Sequence, residues 1–340
     1  MYYVKNERNG EEIFDPTINL AIEYFLLNEK KLDEPILLFY INEPSIIIGK
    51  NQNTHVEINE PYVKEHKVHV VRRFSGGGAV YHDLGNICFC FITNDDGNSF
   101  RDFKKFTEPI IESLGKMGVE GAELRGRNDL VIGDQKFSGN AMYSKNNRMT
   151  AHGTLMFDVN IDETTKVLKP KAAKLKAKGV KSIRSRVTNI KPHMDANAQN
   201  MTLFDFRTAL LRNIFDVENL EDIQEYVLTD DDWAWIEDFR QQYTNNNDWN
   251  YGENPDFEII RDERTPAGQI EFQFNISKGK IIACKIYGDF FGLGEITDVE
   301  NALIGQEYSR ENLIDIFNSI NIKNYFGNVT AEELADLASL

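Results

Sequence analysis

The chain has 340 residues, enough for about two domains, and its 41% hydrophobic and 27% charged residues exclude disordered, collagen-like and coiled-coil classes. A net charge of −16 opposes binding to phosphate backbones and to anionic membranes, so we expect neither nucleic acid nor a membrane as a partner. The apolar runs are far shorter than a bilayer-crossing helix and the first dozen residues are charged, which predicts a cytoplasmic protein. The three cysteines match neither a disulfide framework nor a zinc site and are predicted to be core thiols.

Hydrophobic periodicity predicts a mixture of helices and strands along the whole chain. In chain order, helical spacing covers 15–26, 100–117, 203–215, 231–243, 311–320 and 331–340, and strand patterns cover 36–41, 45–49, 68–72, 87–93, 130–132, 155–159, 257–261, 269–277 and 280–287. Because these elements do not alternate strictly, the pattern predicts an α+β fold. A polar break at 245–248 predicts one domain at 1–244, a linker at 245–254 and a smaller domain at 255–340.

Three consecutive glycines lie between two predicted strands. Arg72 and Arg73 precede them and His82 follows them. Glycines in a row cost backbone entropy, which is tolerated where a ligand or another backbone must approach closely. Their N–H groups can bind an anion, and an arginine can add a bidentate contact to phosphate. A flexible hairpin turn is the alternative interpretation, and the flanking arginines and histidine favour a binding site over it.

A second candidate segment covers 126–141. Gly133 and Asp134 suit a hairpin turn, and the two-residue period of a strand would place Lys136, Ser138 and Asn140 on one face. A lysine held there can bridge a carboxylate and an α-phosphate, and so stabilise the charge that develops when a carboxylate attacks ATP. The alternative is a solvated edge strand carrying an ordinary lysine.

Two further features carry weaker signals. His152 precedes an apolar run and is either a structural hydrogen-bonding residue or a secondary site candidate.

The stretch 166–186 holds nine cations and no acid, although the net charge of the whole chain is negative. Such a stretch suits a lid over a nucleotide or a dock for an acidic protein, while a solvated helical face is the alternative. Nucleic acid fits less well because no aromatic residues alternate with the cations.

Four segments in chain order, 72–86, 126–141, 152–158 and 178–190, together resemble the lipoate–protein ligase A family, and the similarity extends over nearly the whole chain. The resemblance implies a large catalytic domain of the biotin/lipoate-ligase type, with a mixed or antiparallel sheet flanked by helices, and a smaller C-terminal α+β accessory domain. It implies a reaction in two steps. Lipoate and ATP give lipoyl-adenylate and pyrophosphate, and a lysine of a lipoyl domain then attacks the adenylate to form an amide.

The resemblance also implies roles for individual residues. Lys136 is the implied catalytic residue, in contact with the lipoate carboxylate and the α-phosphate. The implied ATP or adenylate contacts are Arg73, Gly78, Ala79, Val80, Tyr81, Asn128, Asp129 and Lys136, and the implied lipoate contacts are Ser75, Gly76, Gly77, His82, Lys136, Ser138, Gly139 and His152. The implied adenylate-capping loop is Lys178, Gly179, Val180, Lys181 and Ser182. Asp129 is the implied Mg²⁺ ligand, through water.

The implied cofactors are ATP and Mg²⁺, with lipoate as substrate, and the implied partners are apo lipoyl domains of 2-oxoacid dehydrogenase E2 subunits and the glycine cleavage H protein. One alternative is an octanoyl or lipoyl transferase on the same fold, which uses a thiol and no ATP. Cys88 and Cys90 are predicted within a buried strand with no activating neighbour, which places that alternative second. A non-catalytic lipoyl-domain-binding protein is disfavoured by the presence of Lys136 together with the full glycine segment.

Overall fold

The computed structural model describes residues 1–169, 183–252 and 254–339. Contacts within the chain divide it into two compact units. Unit 1 consists of Met1–Ile47, Glu57–Val71 and Val80–Asn250, and unit 2 consists of Ile48–Val56, Arg72–Ala79 and Tyr251–Leu340. The glycine segment therefore belongs to the same compact unit as the C-terminal residues.

The secondary structure of the described residues is mixed throughout. The strands are β1 (Tyr2–Val4), β2 (Glu7–Arg8), β3 (Glu11–Glu12), β4 (Ile36–Tyr40), β5 (Ser45–Ile48), β6 (His69–Arg72), β7 (Val80–His82), β8 (Asn86–Asn94), β9 (Ala122–Arg125), β10 (Asp129–Ile132), β11 (Gln135–Lys145), β12 (Arg148–Met156), β13 (Glu225–Tyr226), β14 (Ile259–Thr265), β15 (Gly268–Ser277) and β16 (Lys280–Gly288). The helices are α1 (Pro16–Asn28), α2 (Thr54–Glu57), α3 (Glu60–Glu65), α4 (Phe103–Lys116), α5 (Ile161–Val167), α6 (Ile183–Arg186), α7 (Leu203–Phe215), α8 (Asp230–Gln242), α9 (Asn247–Tyr251), α10 (Ile296–Leu303), α11 (Arg310–Ser319), α12 (Ile322–Phe326) and α13 (Ala331–Ser339). This mixture confirms the predicted α+β class.

Unit 1 is built on an eight-stranded sheet with the order β13-β1-β4-β8-β12-β11-β10-β9. Strand β1 runs parallel to β13 and β4, and the remaining neighbours are antiparallel. All five residues of β4 are buried, as an uninterrupted apolar run predicts for an interior strand. Helix α1 packs on β8, β12 and α8, and α7 packs on α4 and β8. Strands β5, β6 and β7 form a separate small sheet.

Capping side chains define where the helices of unit 1 begin. Asp15 caps α1 and Pro16 occupies its first turn, which matches the start predicted from the sequence. Thr202 and Asp205 form a reciprocal capping box at α7. Thr229 and Asp232 form the same motif at α8. These local signals explain why both helices lie within one residue of their predicted positions.

One predicted strand was misplaced. The strand predicted at 155–159 ends at Met156 and begins much earlier, at Arg148. Polar residues disguised that strand, because the buried Arg148 guanidinium satisfies its hydrogen bonds on the carbonyls of Leu27 and Leu26, at 3.0 and 3.4 Å.

Unit 2 contains the antiparallel sheet β14-β15-β16 and the helices α10 to α13 around an aromatic core. Lys278 and Gly279 form the predicted turn between β15 and β16, and both have positive φ, 50° and 75°, as a tight hairpin requires. Among the described residues, no helix combines the length and the apolar character that crossing a bilayer requires.

Candidate active site

The β10–β11 hairpin of unit 1 places Lys136 beside Asp129. The turn at Gly133-Asp134 is formed as predicted, with Ile132 opposite Gln135. The Lys136 Nζ atom lies 2.7 Å from Asp129 Oδ1, and both side chains are about one-third exposed or more, 36% and 42%. The hairpin thus presents an accessible ammonium group that already neutralises one carboxylate.

A bulge in this hairpin changes the predicted arrangement of side chains. Leu130 lies opposite Ser138 but Val131 lies opposite Lys136, so Phe137 is an extra residue in β11. Ser138 and Asn140 do share a face, with Asn140 Nδ2 donating to Ser138 Oγ at 3.2 Å. The prediction that Lys136 shares it too was wrong, because the extra residue breaks the two-residue period.

The bulge also explains the glycine that follows. A Cβ on Gly139 would lie 2.9 Å from the Lys136 Nζ atom, so a side chain at this position would displace the ammonium. Gly139 N donates to Thr154 Oγ1 on β12 at 3.1 Å. Asn128 is held in turn by Asn140, since the Nδ2 atom of each donates to the backbone carbonyl of the other. Both residues therefore have a structural role in fixing the hairpin.

His152 lies on β12 and is buried against a glutamate that the sequence analysis missed. The His152 Nδ1 atom lies 2.5 Å from Glu23 Oε1, and the Tyr40 hydroxyl donates to Glu23 Oε2 at 3.2 Å. All three side chains are buried. Burial raises the pKa of Tyr40 well above its usual range, with the Glu23 charge adding to the shift, so the phenol keeps its proton and donates. A single acid in the apolar stretch 20–27 is the sequence signal that could have identified Glu23.

We expect Glu23→Ala to lower the free energy of unfolding by about 3 kcal/mol, because His152 and Tyr40 lose a shared acceptor in the core. Glu23→Gln keeps an acceptor oxygen and nearly the same volume, so its loss should be near 1 kcal/mol. Urea unfolding of both variants measures the difference. Equal losses would contradict the assignment of Glu23 as the acceptor.

Burial dominates the chemistry of the cysteines. Cys88 Sγ lies 3.6 Å from the His82 Nδ1 atom, a neighbour that the sequence analysis did not anticipate. That nitrogen also lies 2.9 Å from Asn42 Nδ2. Burial raises the pKa of Cys88, Cys90 and Cys284, which keeps all three thiols protonated at neutral pH. All three are buried core thiols as predicted, and a thiol nucleophile is disfavoured.

The glycine segment lies in unit 2, where Arg73 ties it together. The Arg73 guanidinium is buried; its Nη2 donates to the carbonyls of Gly76 and Gly78, both at 2.8 Å, and its Nε donates to Ser75 Oγ at 3.0 Å. The adjacent Arg72 also faces inward and binds backbone carbonyls. Arg73 therefore shapes the segment from within, and contact with phosphate stays a prediction.

The residues assigned from the sequence fall into two groups. Those in unit 2 are Arg73, Ser75, Gly76, Gly77, Gly78 and Ala79, and those in unit 1 are Val80, Tyr81, His82, Asn128, Asp129, Lys136, Ser138, Gly139 and His152. The implied capping loop at 178–182 lies outside the described residues. Within residues 1–169, 183–252 and 254–339, no group of three or more His, Cys, Asp or Glu side chains is placed to hold a metal ion.

Comparisons with known proteins agree along the chain. Residues 15–215 match the lipoyl protein ligase A/B catalytic domain, and residues 254–337 match the bacterial lipoate protein ligase C-terminus. The chain is 50% identical over 329 residues to the lipoate-protein ligase LplJ of Bacillus subtilis, with 97% of this chain and 98% of that protein covered.

Solved structures give a similar result. The chain is similar to P. falciparum LipL1 in complex with lipoate, with a TM-score of 0.78, 28% identity and coverage of 100% of this chain and 99% of that one. It is also similar to the bi-partite lipoate protein ligase of Thermoplasma acidophilum, studied with its E2 lipoyl domain, with a TM-score of 0.63, 25% identity and coverage of 76% and 98%. The first of these structures covers the whole chain and the second about three quarters of it.

Proposed function

The chain belongs to the lipoate–protein ligase family, and from this premise we propose that it activates lipoate with ATP and then transfers the lipoyl group to a lysine of apo lipoyl domains. In the first step the lipoate carboxylate attacks the α-phosphorus of ATP, which gives lipoyl-adenylate and releases pyrophosphate. In the second step the acceptor amine attacks the acyl carbon, the amide forms and AMP leaves. The anhydride bond to AMP activates the acyl group, so the enzyme needs no thiol nucleophile.

The observation that carries this proposal is the accessible Lys136 ammonium at the hairpin. Lys136 pairs with the Asp129 carboxylate in this structure. The two groups that react in the first step, the lipoate carboxylate and the α-phosphate, are also negatively charged. A fixed ammonium beside both anions reduces their mutual repulsion and stabilises the charge that develops at the α-phosphate. Gly139 leaves room for the ammonium, and Asp129 pairs with it at 2.7 Å.

The donor set at the hairpin fits a magnesium ion that enters with ATP. Mg²⁺ keeps several waters and uses one or two protein carboxylates together with the nucleotide phosphates. Asp129 supplies one accessible carboxylate, and the described residues contain no three-ligand cluster that would hold a resident metal. We assign Asp129 to Mg²⁺ through water, where the ion would neutralise phosphate charge.

We expect Asp129→Asn to raise the Mg²⁺ concentration needed for half-maximal pyrophosphate release about tenfold, because the carboxylate charge is lost. Thermal stability should change little, since the ion pair with Lys136 is largely exposed. Asp134→Asn is the matched control, because Asp134 lies in the adjacent turn and pairs with the exposed Arg125. Unchanged Mg²⁺ dependence in Asp129→Asn would rule out this role.

We assign the lipoate and nucleotide contacts as the resemblance implied. Lipoate has an apolar tail and a terminal carboxylate, which suits buried walls with a cation at the mouth. His152 and His82 are buried, whereas Lys136 is accessible, and this distribution supports the assignment. The proposed capping loop at 178–182 would cover the adenylate with Lys178 and Lys181.

The remaining assignments concern organisation and partners. We propose residues 1–244 as the catalytic domain and 255–340 as the accessory domain, joined at 245–254. The proposed acceptors are lipoyl domains of 2-oxoacid dehydrogenase E2 subunits and the glycine cleavage H protein, and the proposed location is the cytoplasm. The basic stretch at 166–186 provides positive charge for an acidic acceptor within an acidic chain.

The decisive experiment incubates the purified protein with lipoate, Mg²⁺ and an apo lipoyl domain, with and without ATP. The proposal predicts pyrophosphate release and acceptor lipoylation only with ATP. A further arm supplies a thioester-bound octanoyl or lipoyl donor in place of lipoate and ATP, and transfer in that arm alone would identify a transferase. Binding of the lipoyl domain without lipoylation in any arm would identify a binding protein. Running E2 and H-protein acceptors in parallel tests the proposed partners.

A further inference from the structure

The three consecutive glycines of unit 2 have different surroundings. A Cβ on Gly76 would lie 2.3 Å from the carbonyl oxygen of Phe290 and 3.0 Å from a ring carbon of Phe291. A Cβ on Gly77, where φ is +93°, would lie 2.9 Å from Arg73 Nη2 and 3.1 Å from the Phe291 ring. A Cβ on Gly78 would meet nothing within 4 Å. Close approach of protein atoms thus explains Gly76 and Gly77, and open space is found only at Gly78 among the three.

The other side of the segment is equally close to protein backbone. A Cβ on Gly49 would lie 1.9 Å from the Gly77 carbonyl oxygen, so these two backbones are in direct contact. Lys50 N donates to the Ser75 carbonyl at 2.9 Å. Gly288 N donates to the Asn51 carbonyl at 2.8 Å, which joins the end of β16 to the same stretch. The glycine segment is therefore packed between residues 49–51 and residues 290–291.

Arg73 connects this packing to the proposed nucleotide chemistry. Its guanidinium spans the carbonyls of Gly76 and Gly78, so the position of the Arg73 side chain and the course of the segment depend on each other. The Phe291 ring and the Arg73 guanidinium both lie next to the point where a Cβ on Gly77 would be. The Phe291 ring therefore packs where the Arg73 guanidinium meets the segment.

We infer that Phe290 and Phe291 are positioning residues for the nucleotide step, which hold Gly76, Gly77 and Arg73 in place and leave Gly78 as the glycine that faces ATP. This inference rests on the proposed function. It gives the residues C-terminal to β16 a specific part in adenylate formation, although they lie more than 200 positions from the segment and carry none of the sequence motifs. Phe290 acts through its backbone carbonyl and Phe291 through its ring.

The test compares Phe291→Ala with Phe317→Ala. Phe317 is a buried ring in the same unit that packs against Phe272, so its loss also weakens the core. We expect Phe291→Ala to weaken ATP binding, measured by calorimetry, and to raise the ATP KM by about 10- to 100-fold, because Arg73 is displaced. Transfer from supplied lipoyl-adenylate needs no ATP, so Phe291→Ala should lower it less than it lowers pyrophosphate release. Phe317→Ala should leave all of these parameters near wild type.

Two further variants keep the test decisive if Phe291→Ala folds poorly. Phe291→Leu retains most of the apolar contact and should restore part of the ATP affinity. Gly76→Ala places a methyl group against the Phe290 carbonyl and should reproduce the rise in ATP KM. Equal ATP KM in folded Phe291→Ala and Phe317→Ala, or unchanged ATP binding in Gly76→Ala, would overturn the inference. Failure of the wild-type protein to release pyrophosphate with ATP would instead overturn the proposed function.

Discussion

Replacing Lys136 with alanine should lower lipoate-dependent pyrophosphate release by a factor of about 10² to 10³ while the protein stays folded. The side chain is 36% exposed and its ion pair with Asp129 is accessible to solvent, so its loss should cost little stability. The lipoate carboxylate and the α-phosphate, both anions, must approach each other during adenylate formation. We place the Lys136 ammonium beside both of them. Single-turnover pyrophosphate release at saturating ATP and lipoate measures the effect directly.

Two controls make this result specific to the position of the charge. Lys145→Ala removes an exposed lysine from the far end of the same strand, where its ammonium binds the Tyr24 hydroxyl, and should leave pyrophosphate release near wild type. Lys136→Arg keeps the positive charge but changes its geometry, so it should recover only part of the rate. A folded Lys136→Ala protein with wild-type pyrophosphate release would refute the catalytic assignment.

Arg72→Ala should cause the largest loss of stability, lowering the melting temperature by about 10 °C. The buried Arg72 Nη1 donates to the carbonyls of Gly49, Lys50 and Gln52 at 3.0, 3.1 and 2.7 Å, and its Nη2 donates to Thr54 Oγ1 at 2.7 Å. Burial lowers the pKa of Arg72 to about 10, so it remains charged at neutral pH and strengthens these bonds. Its removal takes these four hydrogen bonds away in a largely buried region.

Thermal unfolding followed by circular dichroism checks this prediction. Arg264→Ala is the matched control in unit 2, because that guanidinium is 62% exposed and makes a surface pair with Asp289. Its effect should stay near that of an ordinary surface ion pair, below about 1 kcal/mol. Similar melting temperatures for the two variants would show that Arg72 does not hold the segment 49–54.

Features that depend on neighbouring residues were predictable. Helix α7 was predicted at its observed bounds from apolar spacing alone, and the structure shows that the Thr202 cap fixes its start. The turns at Gly133 and Gly279 were predicted because positive φ at those positions favours glycine. The resemblance to the lipoate–protein ligases was confirmed because it depends on the order of several motifs, which the sequence contains in full.

The bulge in β11 was not predictable from the sequence. The two-residue period holds only for an undisturbed strand, and no residue near Phe137 indicates that the pairing with β10 shifts there. The shift is decided by how β10 and β11 fit together. As a result, the sequence identified Lys136 as a candidate but placed its side chain on the wrong face.

The α+β class, the family and many of the longer helices and strands were predictable from the sequence, because these follow from local periodicity and motif order. The pairing of Glu23 with His152, 129 residues away, and the packing of Gly76 against Phe290 are seen only in the folded chain. Such pairs depend on which strands and loops become neighbours. The sequence pattern indicates that a residue is buried, but it does not indicate which residue it packs against. A glycine is especially ambiguous in this respect, since close approach by a ligand and close approach by another backbone both call for a residue with no side chain.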